Sequence, residues 1–303
     1  MFSLVPRFGM VFDPDGDLDY TVKVVQEAEK KGLDSILLAD HYMSRWTDEK
    51  VDVWPLLAHL SAKTRKIRLG TAVTPLTLRH PSVLAKLVLA VDHVSRGRAI
   101  LGAGIGWNEK EFTAYGFGWD DFKTRAEKSK EAIELILRLW TEERASYQGK
   151  YYSLNEAVSR PRPVQRPHPP VWWGGNSKNA VRLAATYGQG WIPIRITPIA
   201  YAQGVGTIKK VLPSRGGADG FIFGYTGPAL LDKSLEKAKS LVPPDERSQA
   251  DEAWIVGDPK RCVEIIKKYV EGGCNYIAPI FTGHESTLEQ LELFSDEVMP
   301  AFL

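Results

Sequence analysis

Arg98-Ala99-Ile100-Leu101-Gly102-Ala103-Gly104-Ile105-Gly106-Trp107-Asn108-Glu109-Lys110-Glu111-Phe112 begins as a short apolar run and then breaks into glycine at every second position. A tryptophan, an amide and two carboxylates follow at once. The apolar start reads as a buried strand. The alternate glycines let the backbone turn and lie close to something flat or bulky. A strand end, then glycines, then aromatic and polar groups is the make-up of a cofactor-binding loop.

The loop is not a dinucleotide fingerprint. That motif needs G-x-G-x-x-G, whose third glycine lets helix and strand pack closely. Here the third glycine, Gly106, comes one residue early, and Trp107 stands at the required position. Strand-like segments also precede the loop, whereas the fingerprint opens its fold.

Outward from this loop, strand-like and helix-like runs alternate along the chain. Ser3–Phe8 reads as the first strand, and Tyr20–Lys31 as a helix with apolar Val24, Val25 and Ala28 on one face. Asp34–Ala39 and Ile67–Val73 read as strands, Trp54–Lys63 and Pro81–Val94 as helices. Lys123–Trp140 has the pattern of a long amphipathic helix. The alternation pauses between residues 144 and 170, where Arg160–Pro170 is too rich in proline for a helix. It resumes at Val171-Trp172-Trp173-Gly174-Gly175. Helix Lys178–Tyr187, strand Gly190–Pro193, helix Pro198–Leu212 and strand Phe221–Tyr225 follow. Residues 232–251 read as a second insertion. Helix Pro259–Glu271, strand Tyr276–Phe281 and helix Leu288–Val298 complete the pattern.

Eight strand–helix units without repeat or linker predict an α/β fold, a single (β/α)8 TIM barrel over residues 1–303 with two insertions. A doubly wound open sheet is the competing architecture. Lys plus Arg total 39 and Asp plus Glu 37, so no basic surface calls for nucleic acid. The two cysteines fit a reducing compartment. With no secretory pattern at Met1 and no apolar run long enough for a bilayer, a cytoplasmic protein outside the membrane is expected.

A barrel of this kind carries its site at the C-terminal ends of its strands. That rule selects Arg7 and Phe8, then Asp40, His41 and Trp46, then Thr71-Ala72-Val73-Thr74-Pro75, the glycine loop, and Gly174-Gly175-Asn176-Ser177. The last segment precedes a helix, so its N–H groups and the Ser177 hydroxyl can cradle a phosphate. The plain alternative is a turn with an Asn or Ser helix cap. His41 has no HExxH-type partner, so no metal is expected. A lone histidine more often packs or caps, and His41 draws its interest from its place at a strand end. The chain shows no nucleophile elbow, triad order or Walker loop. A bound organic cofactor is then the economical source of reactivity.

Several pieces match one family in order along nearly the whole chain. They are Glu29–Ile36 with Asp40-His41, Leu69–Pro75 with Arg79-His80-Pro81, and Gly102–Phe112 with Tyr115-Gly116. Pro169–Gly175, Ala184-Ala185 to Gly190-Trp191, and Val256–Pro259 follow. This set resembles the luciferase-like monooxygenase superfamily, the barrel flavoproteins that include bacterial luciferase and the coenzyme F420-dependent oxidoreductases.

The resemblance implies a non-proline cis peptide within Thr71-Ala72-Val73, pressed against a flavin or deazaflavin ring. It implies that Gly174-Gly175-Asn176-Ser177 holds the cofactor phosphate. Asp40, Gly104, Gly106, Trp107 and Asn108 would join the cofactor site, with Asn108 the main polar contact. His41 would lie near the reactive ring edge as the catalytic residue. Arg7, Phe8 and Trp46 would wall the substrate pocket, and Ser44–Val53 and Ile196–Gly220 could act as lids. Some F420 enzymes of the family, notably sugar-phosphate dehydrogenases, place a catalytic glutamate right after the G-x-G-type loop. Trp107 stands there in this chain. Glu109 and Glu111 read as exposed helix-start charges, which speaks against that activity.

The expected function is therefore an F420-dependent oxidoreductase moving a hydride between cofactor and a small organic substrate. An FMNH2-dependent monooxygenase using oxygen is the alternative. A non-catalytic flavin-binding protein and a cofactor-free interaction module are readings of another class. Relatives commonly dimerise, so a homodimer is compatible.

Overall fold

The computed structural model describes residues 5–43, 49–215, 219–283 and 286–303. Strands β1 (Arg7–Phe12), β2 (Ser35–Leu38), β3 (Arg68–Thr71) and β4 (Ala99–Gly104) pair in parallel in chain order. The order continues with β5 (Val171–Gly174), β6 (Gly190–Ile192), β7 (Ile222–Leu231) and β8 (Tyr276–Phe281). β8 pairs back onto β1, so the sheet closes into a barrel and the open-sheet alternative falls. The helices outside it are α1 (Leu18–Lys30), α2 (Val53–Lys63), α3 (Pro81–Ser95), α4 (Phe122–Thr141), α5 (Lys178–Tyr187), α6 (Pro198–Val211), α7 (Pro259–Glu271) and α8 (Thr287–Leu293).

Both faces of each strand are covered, which is why the strands read as unbroken apolar runs rather than alternating ones. Val11, Leu37, Ile100, Trp172, Ile192, Ile222, Tyr276 and Ala278 fill the lumen. Their neighbours in sequence, such as Met10, Ile36, Leu101 and Ile277, face the helices. Trp172 and Tyr276 meet edge to face at 5.1 Å, and the Tyr276 hydroxyl lies 2.8 Å from Ser35 Oγ. A Cβ on Gly9 would stand 2.1 Å from that hydroxyl. The lower lumen is thus a packed floor.

This packing corrects the first strand. It runs from Arg7 to Phe12, further along than Ser3–Phe8. Gly9 resembles a strand end in sequence but is a lumen position kept bare for Tyr276. Arg7 consequently sits at the strand's start, exposed and 3.5 Å from Asp34 just before β2. Phe8 faces the helix layer, with its ring 5.7 Å from both Phe294 and Phe302. Neither residue reaches the C-terminal mouth, so neither lines the substrate pocket.

The first insertion folds as an antiparallel hairpin, Ala145–Gln148 with Ser153–Ala157, followed by the proline-rich run. Buried Asp92 on α3 anchors that run by accepting from the Val164 and Gln165 N–H groups at 2.7 and 3.3 Å. In the second, short helices Leu235–Ser240 and Arg247–Ala253 cover an apolar cluster around Leu230, Trp254 and Val256. β7 is longer than expected because strand Ile255–Gly257 pairs with its far end. Among the described residues no helix is long and apolar enough to cross a membrane.

Candidate active site

The end of β3 is the centre of the site. The Ala72–Val73 peptide is cis, and Thr74–Pro75 then pairs with Ala103–Gly104 of β4. Val73 is wedged between two strand ends that carry no side chain. A Cβ on Gly104 would lie 2.4 Å from Val73 Cγ2, and one on Gly174 2.8 Å from Val73 Cγ1. A Cβ on Gly102 would lie 1.7 Å from the Thr71 carbonyl oxygen. These glycines therefore make room for the β3 bulge. Gly106 differs, because its φ of 87° suits glycine and turns the chain towards Trp107. Gly104→Ala is expected to lower stability by about 1–3 kcal/mol by displacing Val73. Thermal unfolding measures this, and a variant as stable as wild type would show that the bulge yields freely.

Asp40 lies behind the bulge. Arg79 Nη1 and Nη2 donate to its two oxygens at 2.8 and 2.9 Å, and Thr74 Oγ1 donates at 2.7 Å. Arg79 Nη2 also donates to Asp52, the cap of α2, at 2.8 Å, and its guanidinium covers the Tyr42 ring at 4.9 Å. The Thr71 hydroxyl donates to the Gly102 carbonyl at 3.0 Å. Asp40 is only 1% exposed with both oxygens taken, so the structure places it as a support behind the bulge rather than on the open face expected of a cofactor contact. Burial pushes its carboxyl upward and Arg79 pulls it back. The two-pronged contact with Arg79 is the geometry of an ionised pair.

His41 follows Asp40 and faces the mouth. Its Nδ1 lies 3.2 Å from Glu111 Oε2. Glu111 is fully buried and also accepts from the Tyr42 N–H at 2.5 Å. Burial pulls the imidazolium down, but the hydrogen bond and charge of Glu111 outweigh it, with Asp13 and Asp40 adding. His41 therefore titrates above its ordinary value. Asp13, beyond β1, is itself bound by Lys50 at 2.8 Å. Trp107 is 67% exposed and meets the His41 ring edge to face at 5.7 Å. Asn108 caps the short helix Glu109–Ala114 without a side-chain hydrogen bond. Tyr115 closes the wall by donating to the Tyr42 carbonyl at 3.0 Å.

Glu111, expected as an exposed helix-start charge, is instead a buried site residue. It and Phe112 form the buried side of the short helix, while Glu109 and Lys110 are exposed. The signal available in the sequence was Phe112, an apolar residue adjoining Glu111 and marking the inward face. Arg79 likewise stands in the sequence only as part of Arg79-His80-Pro81, with nothing nearby to mark Asp40 as its partner.

At the end of β5, Gly175 has a φ of 98° and its carbonyl accepts from Trp191 Nε1 at 3.0 Å. Asn176 Nδ2 donates to the Ile194 carbonyl at 2.7 Å. Ser177 caps α5, its hydroxyl accepting from the Ala180 N–H at 3.1 Å. The capping alternative thus describes both side chains. For an anion, the turn offers the first N–H groups of α5, which have no partner within the helix. Trp46 lies outside the described residues, as does the first half of the Ser44–Val53 lid, residues 44–48. Ile196–Gly220 is chiefly helix α6, not a loop.

A closed (β/α)8 barrel with a bulged third strand, a histidine–carboxylate pair at its mouth and a glycine turn before α5 defines the class. The sequence profile of the luciferase-like monooxygenase family matches residues 1–251. The chain belongs to the luciferase-like monooxygenase family. The F420-dependent glucose-6-phosphate dehydrogenase of Segniliparus rotundus is similar at 30% identity over 324 aligned residues, covering 95% of this chain and 94% of that one. The FMNH(2)-dependent dimethylsulfone monooxygenase of Pseudomonas putida is 30% identical over 170 residues, 56% of this chain and 47% of that one. The monooxygenase RslO1 from Streptomyces bottropensis superposes with a TM-score of 0.87 at 20% identity, covering 98% of this chain and all (100%) of that chain. At that identity the likeness speaks for the fold.

Proposed function

We propose that the chain is an F420-dependent oxidoreductase that exchanges a hydride with a small organic substrate. The observation that carries this reading is the likeness to an F420-dependent dehydrogenase across 95% of the chain. The site residues fit such a cofactor. Val73 stands forward between Gly104 and Gly174 as a backing for a flat ring, and the N–H groups beginning α5 suit a phosphate. Asn108, with no capping bond, would meet the ring's polar edge.

When bound, the deazaflavin supplies or accepts a hydride at C5. His41 holds the accompanying proton. With Nδ1 committed to Glu111, Nε2 is its exchangeable position. In the reducing direction Nε2 gives the proton to the substrate, and in the oxidising direction it takes the proton up. Trp107 restricts how a substrate approaches Nε2. An exposed Glu111 would speak against sugar-phosphate oxidation. The burial of Glu111 beside His41 removes that ground.

A second reading, reduced FMN with oxygen, draws on the Pseudomonas putida relative. Optical titration separates the two. F420 is expected to bind with FMN binding far more weakly. Preference for FMN would replace the first reading with the second, and binding of neither would remove both.

A further inference from the structure

A small cavity of about 50 Å³ lies away from the bulge, between the β3–α3 connection, the β4–α4 segment, the start of α4 and the hairpin. Thr77, Asp120, Arg125 and Lys128 line it with Phe112 and Phe117. Among the described residues, two donors there have no partner. Thr77 Oγ1 and Arg125 Nε are both buried and make no hydrogen bond. Arg125 as a whole is 8% exposed.

The guanidinium is fixed on its other sides. Arg125 Nη1 donates to the Asp120 carbonyl, and the group's face lies over the Trp119 ring at 3.6 Å. Its Nε edge is therefore held in place without an acceptor. Burial lowers the Arg125 pKa, and the charges of Asp120, Asp121 and Glu109 offset this only in part. Lys128 bonds Asp120 at 2.5 Å, so the two cations outnumber the one lining carboxylate. Arginine and lysine side chains donate only, and an oxyanion only accepts. Native structures satisfy buried donors, so two orphaned donors on residues lining one cavity point to a missing acceptor.

We propose that this cavity is an oxyanion site, distinct from the turn at Gly174–Ser177, that takes one carboxylate or phosphate head. Resting on the F420 reading, its occupant is a carboxylate of that cofactor's acidic tail, a group FMN lacks.

Inorganic phosphate tests the site without any cofactor. Phosphate is expected to raise the melting temperature of the full chain, and Thr77→Val and Arg125→Gln are expected to abolish the rise. Thr77→Val is nearly isosteric and keeps the test valid if Arg125→Gln fails to fold. No rise in wild type, or an equal rise in Thr77→Val, would show water only or binding at the turn, and either overturns the site.

The source is read by fluorescence titration with F420 and with the deazaflavin riboside 5′-phosphate, which has no tail. F420 is expected to bind about ten-fold tighter, the worth of one charge-assisted hydrogen bond, and Thr77→Val is expected to erase the difference. Equal affinities in wild type overturn the tail assignment. A phosphate response that depends on Thr77, with neither deazaflavin binding, removes the F420 reading and upholds the oxyanion site.

Discussion

Arg79→Ala is expected to destabilise the protein by about 3–5 kcal/mol, because it leaves one member of a buried ion pair uncompensated. Asp40 would keep its burial and its Thr74 bond but lose both guanidinium contacts. Asp52 would lose its tie as well, so the start of α2 and the β2 end separate. Urea and thermal unfolding measure the loss. The pH dependence identifies its cause. An uncompensated buried carboxylate has a raised folded pKa, so the variant folds best where Asp40 is protonated. Its deficit against wild type should be smallest below the ordinary aspartate value of about 3.9 and should grow as pH rises. Adding Asp40→Asn should recover part of the loss at neutral pH. A deficit that is flat with pH, or unmoved by Asp40→Asn, would show that lost packing over Tyr42 dominates instead.

The barrel was legible because parallel strands buried on both faces leave a repeated apolar mark, as in Ser35–Leu38 and Val171–Gly174. The end of the first strand was not, because Gly9 has the same letter in a turn as in a lumen filled by Tyr276. That single ambiguity carried Arg7 and Phe8 to the wrong end of the barrel. The cis Ala72–Val73 bulge came from family resemblance, since no periodicity encodes a peptide isomer. Asp40 and Glu111 show a second kind of blindness. Each is a carboxylate beside a strand end or helix start, where exposure is the ordinary outcome. What sets them apart is a partner distant in sequence, Arg79 for one and His41 for the other. Pairings of that kind are decided by strand closure, which one-dimensional patterns do not contain. Ser177 shows the reverse, because its capping role follows from local sequence and was available from the start.

His41→Ala is expected to lower kcat by about 10²–10⁴-fold with any substrate that supports turnover, the range for loss of a general acid or base. F420 affinity should change little, since the bulge and the α5 turn are untouched. Glu111→Gln isolates the charge, because an amide can still accept at Nδ1 and fill the same space. The Glu111 charge and hydrogen bond raise His41, so this variant should bring the imidazole back down. In the reducing direction the protonated form is needed, and the falling alkaline limb of the kcat profile should move to lower pH. Stability follows the same sign. A raised histidine contributes stability fully present below its ordinary value of about 6.5 and lost as pH rises through the raised one. The gap between wild type and Glu111→Gln should therefore narrow towards alkaline pH. The double variant should be no slower than His41→Ala, because Glu111 acts through the imidazole. A pH profile for Glu111→Gln that superposes on wild type would reduce Glu111 to a bracket for the Tyr42 N–H. Additive losses in the double variant would instead give it contact with the reacting atoms, which its complete burial behind His41 opposes.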